Sequence, residues 1–203
     1  MGIKSKHKGN RYERRCATLL IDFTGESFRR IPSSGAFNKF GGVKVAEHVF
    51  SGDLICDKAD LKFSIEAKSQ KVFSFVALLK DPEKTAFTKW WQQCVEDAIS
   101  VNRMPMLMFK PDIQEDFVGI TEDGMTLLEI PEHAPHFGLN IYGHSTSNSS
   151  IQLPTPKIFR WKTFASMANP SKMFGGTDGL LRKIECETDT TSAGENGREE
   201  RSK

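Results

Sequence analysis

The chain has 203 residues, of which 38% are hydrophobic and 27% charged. That is enough for one substantial core, and it excludes a fibrous or peptide-sized protein. Its 28 Lys and Arg against 26 Asp and Glu leave a formal charge of +2, but the first fifteen residues hold Lys4, Lys6, Lys8, Arg11, Arg14 and Arg15 against Glu13 alone. A polyanion is attracted by such a local excess whatever the whole-chain sum.

The first element predicted is a helix from about Asn10 to Phe23, because Tyr12, Cys16, Leu19, Leu20 and Phe23 recur at helical spacing. Asn10 is read as its cap, with Glu13 three positions on closing a capping box. On a wheel of about 100° per residue, Glu13 borders the apolar face. A short strand is expected at Ser27 to Ile31, then the turn Pro32-Ser33-Ser34-Gly35, an irregular stretch to Gly42, and an extended segment from Val43 to Phe50. Asp53 to Cys56 begins another strand, and Asp57 to Asp60 reads as a hairpin connection to a partner at Leu61 to Ser69. In that partner Phe63, Ile65 and Ala67 point one way, while Ser64, Glu66 and Lys68 point the other.

Asp81-Pro82 reads as a helix opening, followed by the stripe Phe87, Trp90, Trp91, Cys94, Val95, Ala98 and Val101. Met106 to Phe109 is a short apolar strand, and Phe117 to Ile120 with Met125 to Leu128 flank Thr121 to Gly124 as a hairpin. Residues 131–156 are turn-rich, Arg160 to Met167 suits a short helix, and Pro170 to Gly179 interrupts regular structure. Residues 1–130 therefore form the principal module with a basic N-terminal arm, 131–185 an extension or cover, and 186–203 a disordered tail. The pattern alone gives a mixed α and β chain.

Cys16, Cys56, Cys94 and Cys186 form no close pair, which argues against a zinc site or disulfide scaffold and for reduced thiols inside a cell. No run approaches the roughly 20 apolar residues of a membrane helix, so no membrane partner is expected. The histidines His7, His48, His133, His136 and His144 form no cluster with the acids, and no glycine-rich loop suggests a nucleotide cofactor.

The strongest chemical constellation is Glu13, Asp53 and Glu66-Ala67-Lys68. Paired carboxylates supply hard oxygen ligands to a divalent ion, and a nearby lysine can orient water or offset charge during phosphodiester hydrolysis. A triplet of acid, any residue and lysine arises by chance about once or twice in a chain this long. Asp60-Leu61-Lys62 is the second instance, read as a surface turn. Alone, Glu13 reads equally as a cap, Asp53 as a turn residue, and Arg30 and Ser34 as surface groups; their order gives them meaning. Trp90 and Trp91 fit the core stripe better than a base-stacking platform, and Gln93 receives no catalytic role.

Lys8-Gly9-Asn10-Arg11-Tyr12-Glu13, Arg29-Arg30-Ile31-Pro32-Ser33-Ser34-Gly35-Ala36, Gly52-Asp53 and Ile65-Glu66-Ala67-Lys68-Ser69 together resemble the archaeal-type Holliday junction resolvases of the PD-(D/E)-x-K nuclease superfamily. The resemblance covers roughly the first 70 residues. It implies an α/β, restriction-endonuclease-like fold, a mixed central sheet flanked by helices. It also implies a Mg2+-dependent endonuclease, with Mn2+ as a substitute, cutting four-way DNA as a homodimer.

Carried across, Glu13, Asp53 and Glu66 are metal-binding acids, Lys68 the catalytic lysine, and Ser34 a catalytic or DNA-positioning serine. Lys4, Lys6, Lys8, Arg11, Arg29, Arg30 and Ser34 are the expected DNA contacts, and the compartment is intracellular, cytoplasmic or nucleoid-associated, compatible with a phage origin. Two features depart from the pattern: Gly52 replaces the proline before the aspartate, and Asn38 to Val49 is longer than the compact family form. The alternatives are a phage or repair nuclease acting on linear, flap or single-stranded DNA, and a non-catalytic DNA-binding module.

Overall fold

The computed structural model describes residues 3–31, 51–71, 73–111, 114–144 and 150–175. Helix α1 runs Ile3–Thr24, followed by strands β1 (Phe28–Arg30), β2 (Leu54–Cys56) and β3 (Phe63–Gln70). Helices α2 (Phe75–Lys80) and α3 (Ala86–Ser100) then lead to β4 (Met104–Pro111), β5 (Phe117–Ile120) and α4 (Glu122–Leu127). The short strands β6 (Phe137–Gly138), β7 (Tyr142–His144) and β8 (Ser150–Gln152) precede β9 (Lys157–Arg160) and α5 (Trp161–Met167).

Five strands form a mixed central sheet in the order β3-β4-β5-β9-β6. Strand β4 runs parallel to β3, with α2 and α3 in the connection as parallel pairing requires, and antiparallel to β5. β9, from the segment expected to extend or cover the nuclease core, lies inside this sheet between β5 and β6.

The two faces of the sheet carry two apolar clusters, set by the period of two in its strands. Phe63, Ile65 and Ala67 of β3 and Met104, Met106 and Met108 of β4 pack with Tyr12, Cys16 and Leu20 of α1. Leu107 and Phe109 of β4 pack instead with Phe87, Trp91, Cys94 and Val95 of α3. The expected alternation of β3 therefore holds, and its even-numbered residues face the α3 side. Trp91 is fully buried, its indole N–H donating to the Pro154 carbonyl at 2.8 Å, which agrees with a core role. Cys16, Cys56 and Cys94 are free thiols, and no helix among the described residues is long and apolar enough to cross a membrane.

Four sequence expectations are corrected. Helix α1 continues through Gly9 to Ile3, so Asn10 is no cap and Glu13 closes no capping box; the Asn10 side chain instead accepts from Arg30 at 3.1 Å. Strands β2 and β3 form no hairpin: β2 pairs with β1, and the ladder bridge to β3 is a parallel one from Gly52, just before β2, to Ile65. Alternation identifies a strand without naming its partner. The Asp81-Pro82 opening makes a 3-10 turn, and α3 starts after Thr85. Residues 122–127 are helical, since the Thr121 hydroxyl caps the Gly124 N–H at 3.2 Å and two acids occupy the first turn. Thr121→Ala is expected to lower stability by about 1 kcal/mol, read as a shifted urea midpoint.

Candidate active site

Asp53 is fixed to the open edge of the central sheet from both sides of Glu66. Its backbone N–H donates to the Ile65 carbonyl at 2.8 Å, and its Oδ2 accepts from the Ala67 N–H at 3.0 Å. Gly52 makes this approach feasible: it has φ of +83°, and a Cβ there would stand 2.4 Å from the Ile65 carbonyl oxygen. On the other side the Asp53 carbonyl accepts from the Ile31 N–H at 2.9 Å, tying the end of β1 to the same point.

Glu66 is 2% exposed and Asp53 8%. The Lys68 ammonium is hydrogen-bonded to Glu66 Oε1, and the Gln93 amide of α3 donates to the same oxygen at 3.0 Å. Burial, reinforced by the Asp53 charge, pushes the Glu66 carboxyl up to about 8 against the pull of Lys68. Burial works against the Lys68 charge as well, but the Glu66 carboxylate outweighs it and holds the ammonium above its ordinary range.

Helix α3 contributes Asp97 one turn beyond Gln93. Burial raises its carboxyl, and a hydrogen bond from the Gln93 side chain opposes that rise. The Asp97 backbone carbonyl accepts from Ser51 Oγ at 2.7 Å, and that hydroxyl also meets Ser64 Oγ at 3.0 Å. Gln70 continues the row of Glu66 and Lys68 on β3, and its buried Oε1 has no hydrogen-bond partner among the described residues.

The expected residues divide into two groups. Asp53, Glu66 and Lys68 come together on β3, whereas Glu13 pairs with Arg30, Oε2 to Nε, at 2.7 Å. Arg29 is exposed and pairs with Asp57 at 2.8 Å. Arg11 is exposed on α1. Lys4, Lys6 and Lys8 lie on the helical backbone of α1, with their side chains outside the described part, and Ser34 and residues 43–50 lie outside the described residues. Asp60 is exposed with φ of 65°, in keeping with the surface-turn reading of the second triplet. His136 is occupied locally, meeting the Ala134 carbonyl at 2.7 Å and the Phe159 ring at 5.2 Å.

Sequence reasoning left Gln93 unassigned and missed Asp97. Their spacing of four on one helix, beside the stripe of Phe87, Trp91 and Cys94, is a signal for a shared polar edge.

Two buried carboxylates held together cost energy, and a cation between them relieves it. No three His, Cys, Asp or Glu side chains converge as a ligand group among the described residues. The donor set nevertheless fits a hard divalent ion such as Mg2+, which commonly binds through one or two carboxylates and keeps several waters. Asp53 and Glu66 are the residues that would hold it.

The sequence profile described as "Phage putative PDDEXK endonuclease" matches residues 4–174 of the chain, a span that includes both carboxylates, Lys68 and the whole central sheet. "Protein D14" of Escherichia phage T5 is 31% identical over 115 residues, covering 55% of this chain and 68% of that protein. No solved structure matches the chain. With the profile spanning the fold, and an acid pair and a lysine assembled on β3, the chain belongs to the phage PDDEXK endonuclease family.

Proposed function

We propose that this protein is a Mg2+-dependent endonuclease, with Mn2+ as a substitute, that hydrolyses DNA phosphodiesters and resolves four-way junctions as a homodimer. The observation that carries the hydrolytic part is the clamp of Asp53 onto both neighbours of Glu66, with Lys68 on the Glu66 carboxylate. A divalent ion bound there supplies Lewis-acid polarisation of the scissile phosphate and activation of water.

Asp53 and Glu66 hold and orient. Lys68 offers two further N–H donors beyond the one on Glu66, one to align the attacking water and one to meet charge on the phosphate. Arg30 is held by Glu13 through Nε and by Asn10 through Nη2. Its Nη1 group takes part in neither bond and is the donor proposed for a DNA phosphate. Glu13 thus holds Arg30 through Oε2 in the described arrangement, and a direct metal role would fall to its Oε1. The basic arm at Lys4, Lys6, Lys8 and Arg11, together with Arg29 and Ser34, supplies the remaining proposed DNA contacts.

The junction and homodimer assignments rest on the resemblance of the sequence motifs to junction resolvases. A second reading is a phage nuclease acting on linear, flap or single-stranded DNA; the family that the chain matches supports its phage-endonuclease part. A panel of matched four-way, linear, nicked, flap and single-stranded substrates in Mg2+, with every product end mapped, separates the two. Paired incisions on opposing strands of the junction are expected, together with a dimer by light scattering. Equal cutting of linear duplex overturns the junction assignment and leaves the hydrolytic one standing.

A further inference from the structure

We infer that Gln93 is a positioning residue that fixes which oxygen of Glu66 faces the divalent ion, with Asp97 as its anchor. The inference rests on the metal-dependent reading above and deepens it. Two donors converge on Glu66 Oε1: the Lys68 ammonium from the same strand and the Gln93 amide from across the site. Oε2 is thereby the oxygen left to a cation.

Lys68 alone does not enforce that choice. An ammonium is a compact charge on a flexible stem, able to follow either oxygen as the carboxylate rotates. The Gln93 amide is planar and reaches Glu66 from a separate element, and the Asp97 carboxyl one turn along α3 is close enough to be held down by it. The amide nitrogen, and not its oxygen, faces Glu66, the orientation that an ionised carboxylate, which can only accept, requires. One N–H of that NH2 is on the acid of β3, and the second is the donor proposed for the acid of α3. Asp97 is tied in turn through its backbone carbonyl to Ser51, two residues before Asp53. These two bonds link the strand bearing Glu66, the helix that covers it and the segment bearing Asp53.

The measurement is calorimetric titration of Mg2+ into the full chain without DNA, with Ca2+ as a second probe. It is accompanied by DNA binding in Ca2+ and single-turnover cleavage in Mg2+. Gln93→Met keeps the length and removes both donors. Its Mg2+ dissociation constant is expected to rise about ten- to a hundredfold, with slower single-turnover cleavage and unchanged DNA affinity. Gln93→Asn, shorter by one methylene and still polar, is expected to show the same direction, and it stands in should the first variant fold poorly. Asp97→Ala is expected to give a smaller rise.

A purely structural spacer would lower the melting temperature and leave metal affinity as it was. Wild-type Mg2+ affinity in folded Gln93→Met or Gln93→Asn overturns the role of Gln93 alone. A parent chain that binds no divalent ion and cuts no DNA overturns the nuclease reading, and this role with it.

Discussion

Lys68→Ala and Asp53→Asn are each expected to reduce Mg2+-dependent DNA cleavage by about a hundred- to a thousandfold, equivalent to about 3–4 kcal/mol of barrier, while the protein stays folded. The reasoning differs for the two. Lys68 has its charge on Glu66, and removing it takes away the pull that opposes protonation of that acid. Glu66, already raised to about 8 with Lys68 present, moves further toward its neutral form, so no buried charge is stranded and the fold survives the loss. Asp53→Asn keeps an oxygen to accept from the Ala67 N–H but removes the negative charge. With that charge gone, Glu66 keeps burial and the Asp97 charge but loses the Asp53 charge among the influences that raise it, so its carboxyl should move back toward the ordinary range.

The checks are single-turnover cleavage rates and melting curves for both variants against the parent. Parental cleavage by either variant removes that residue from the proposed mechanism.

Gly52→Ala is expected to destabilise the protein by about 2–5 kcal/mol, combining the left-handed backbone cost with a steric collision. The added Cβ would meet the Ile65 carbonyl oxygen at 2.4 Å and its carbonyl carbon at 2.9 Å. Those atoms belong to the backbone of β3, which also pairs with β4 along its whole length and has little freedom to retreat. A lower urea midpoint should accompany lost cleavage, because Asp53 is the residue displaced when Gly52 moves. Parental stability in this variant would contradict the close approach. The same geometry accounts for the departure from the proline of the superfamily signature. Proline is locked near φ of about −65°, whereas this position has φ of +83°.

Much of the scaffold could be read from local patterns because local physics produced it. The apolar positions of α1 and α3 and the alternation of β3 are consequences of which side faces the sheet. Asp53, Glu66 and Lys68 were recognisable as acids and a lysine in a defined order, and they meet on β3. Pairing was less legible. Nothing within Leu54 to Cys56 specifies that its ladder partner is β1 across a long separation and not the strand that follows it. Thr121-Glu122-Asp123-Gly124 supports either a turn or a helix start, and burial of Gly124 and Met125 in the helix decided the outcome. Gln93 and Asp97 gained meaning only when α3 came down over the even-numbered face of β3. Glu13, with two local readings, acquired a third in its Arg30 partner.

The division of labour along β3 carries a consequence for how this protein can change. One eight-residue strand alternates between a set that fills the interior and a set that performs chemistry. Loss or gain of a single residue between Phe63 and Glu66 would exchange the two sets at a stroke, sending Ile65 toward Gln93 and the acid toward Cys16. No half-functional form lies between those registers. Changes of length in the connecting loops leave that alternation intact, whereas a change in the residue count of β3 does not.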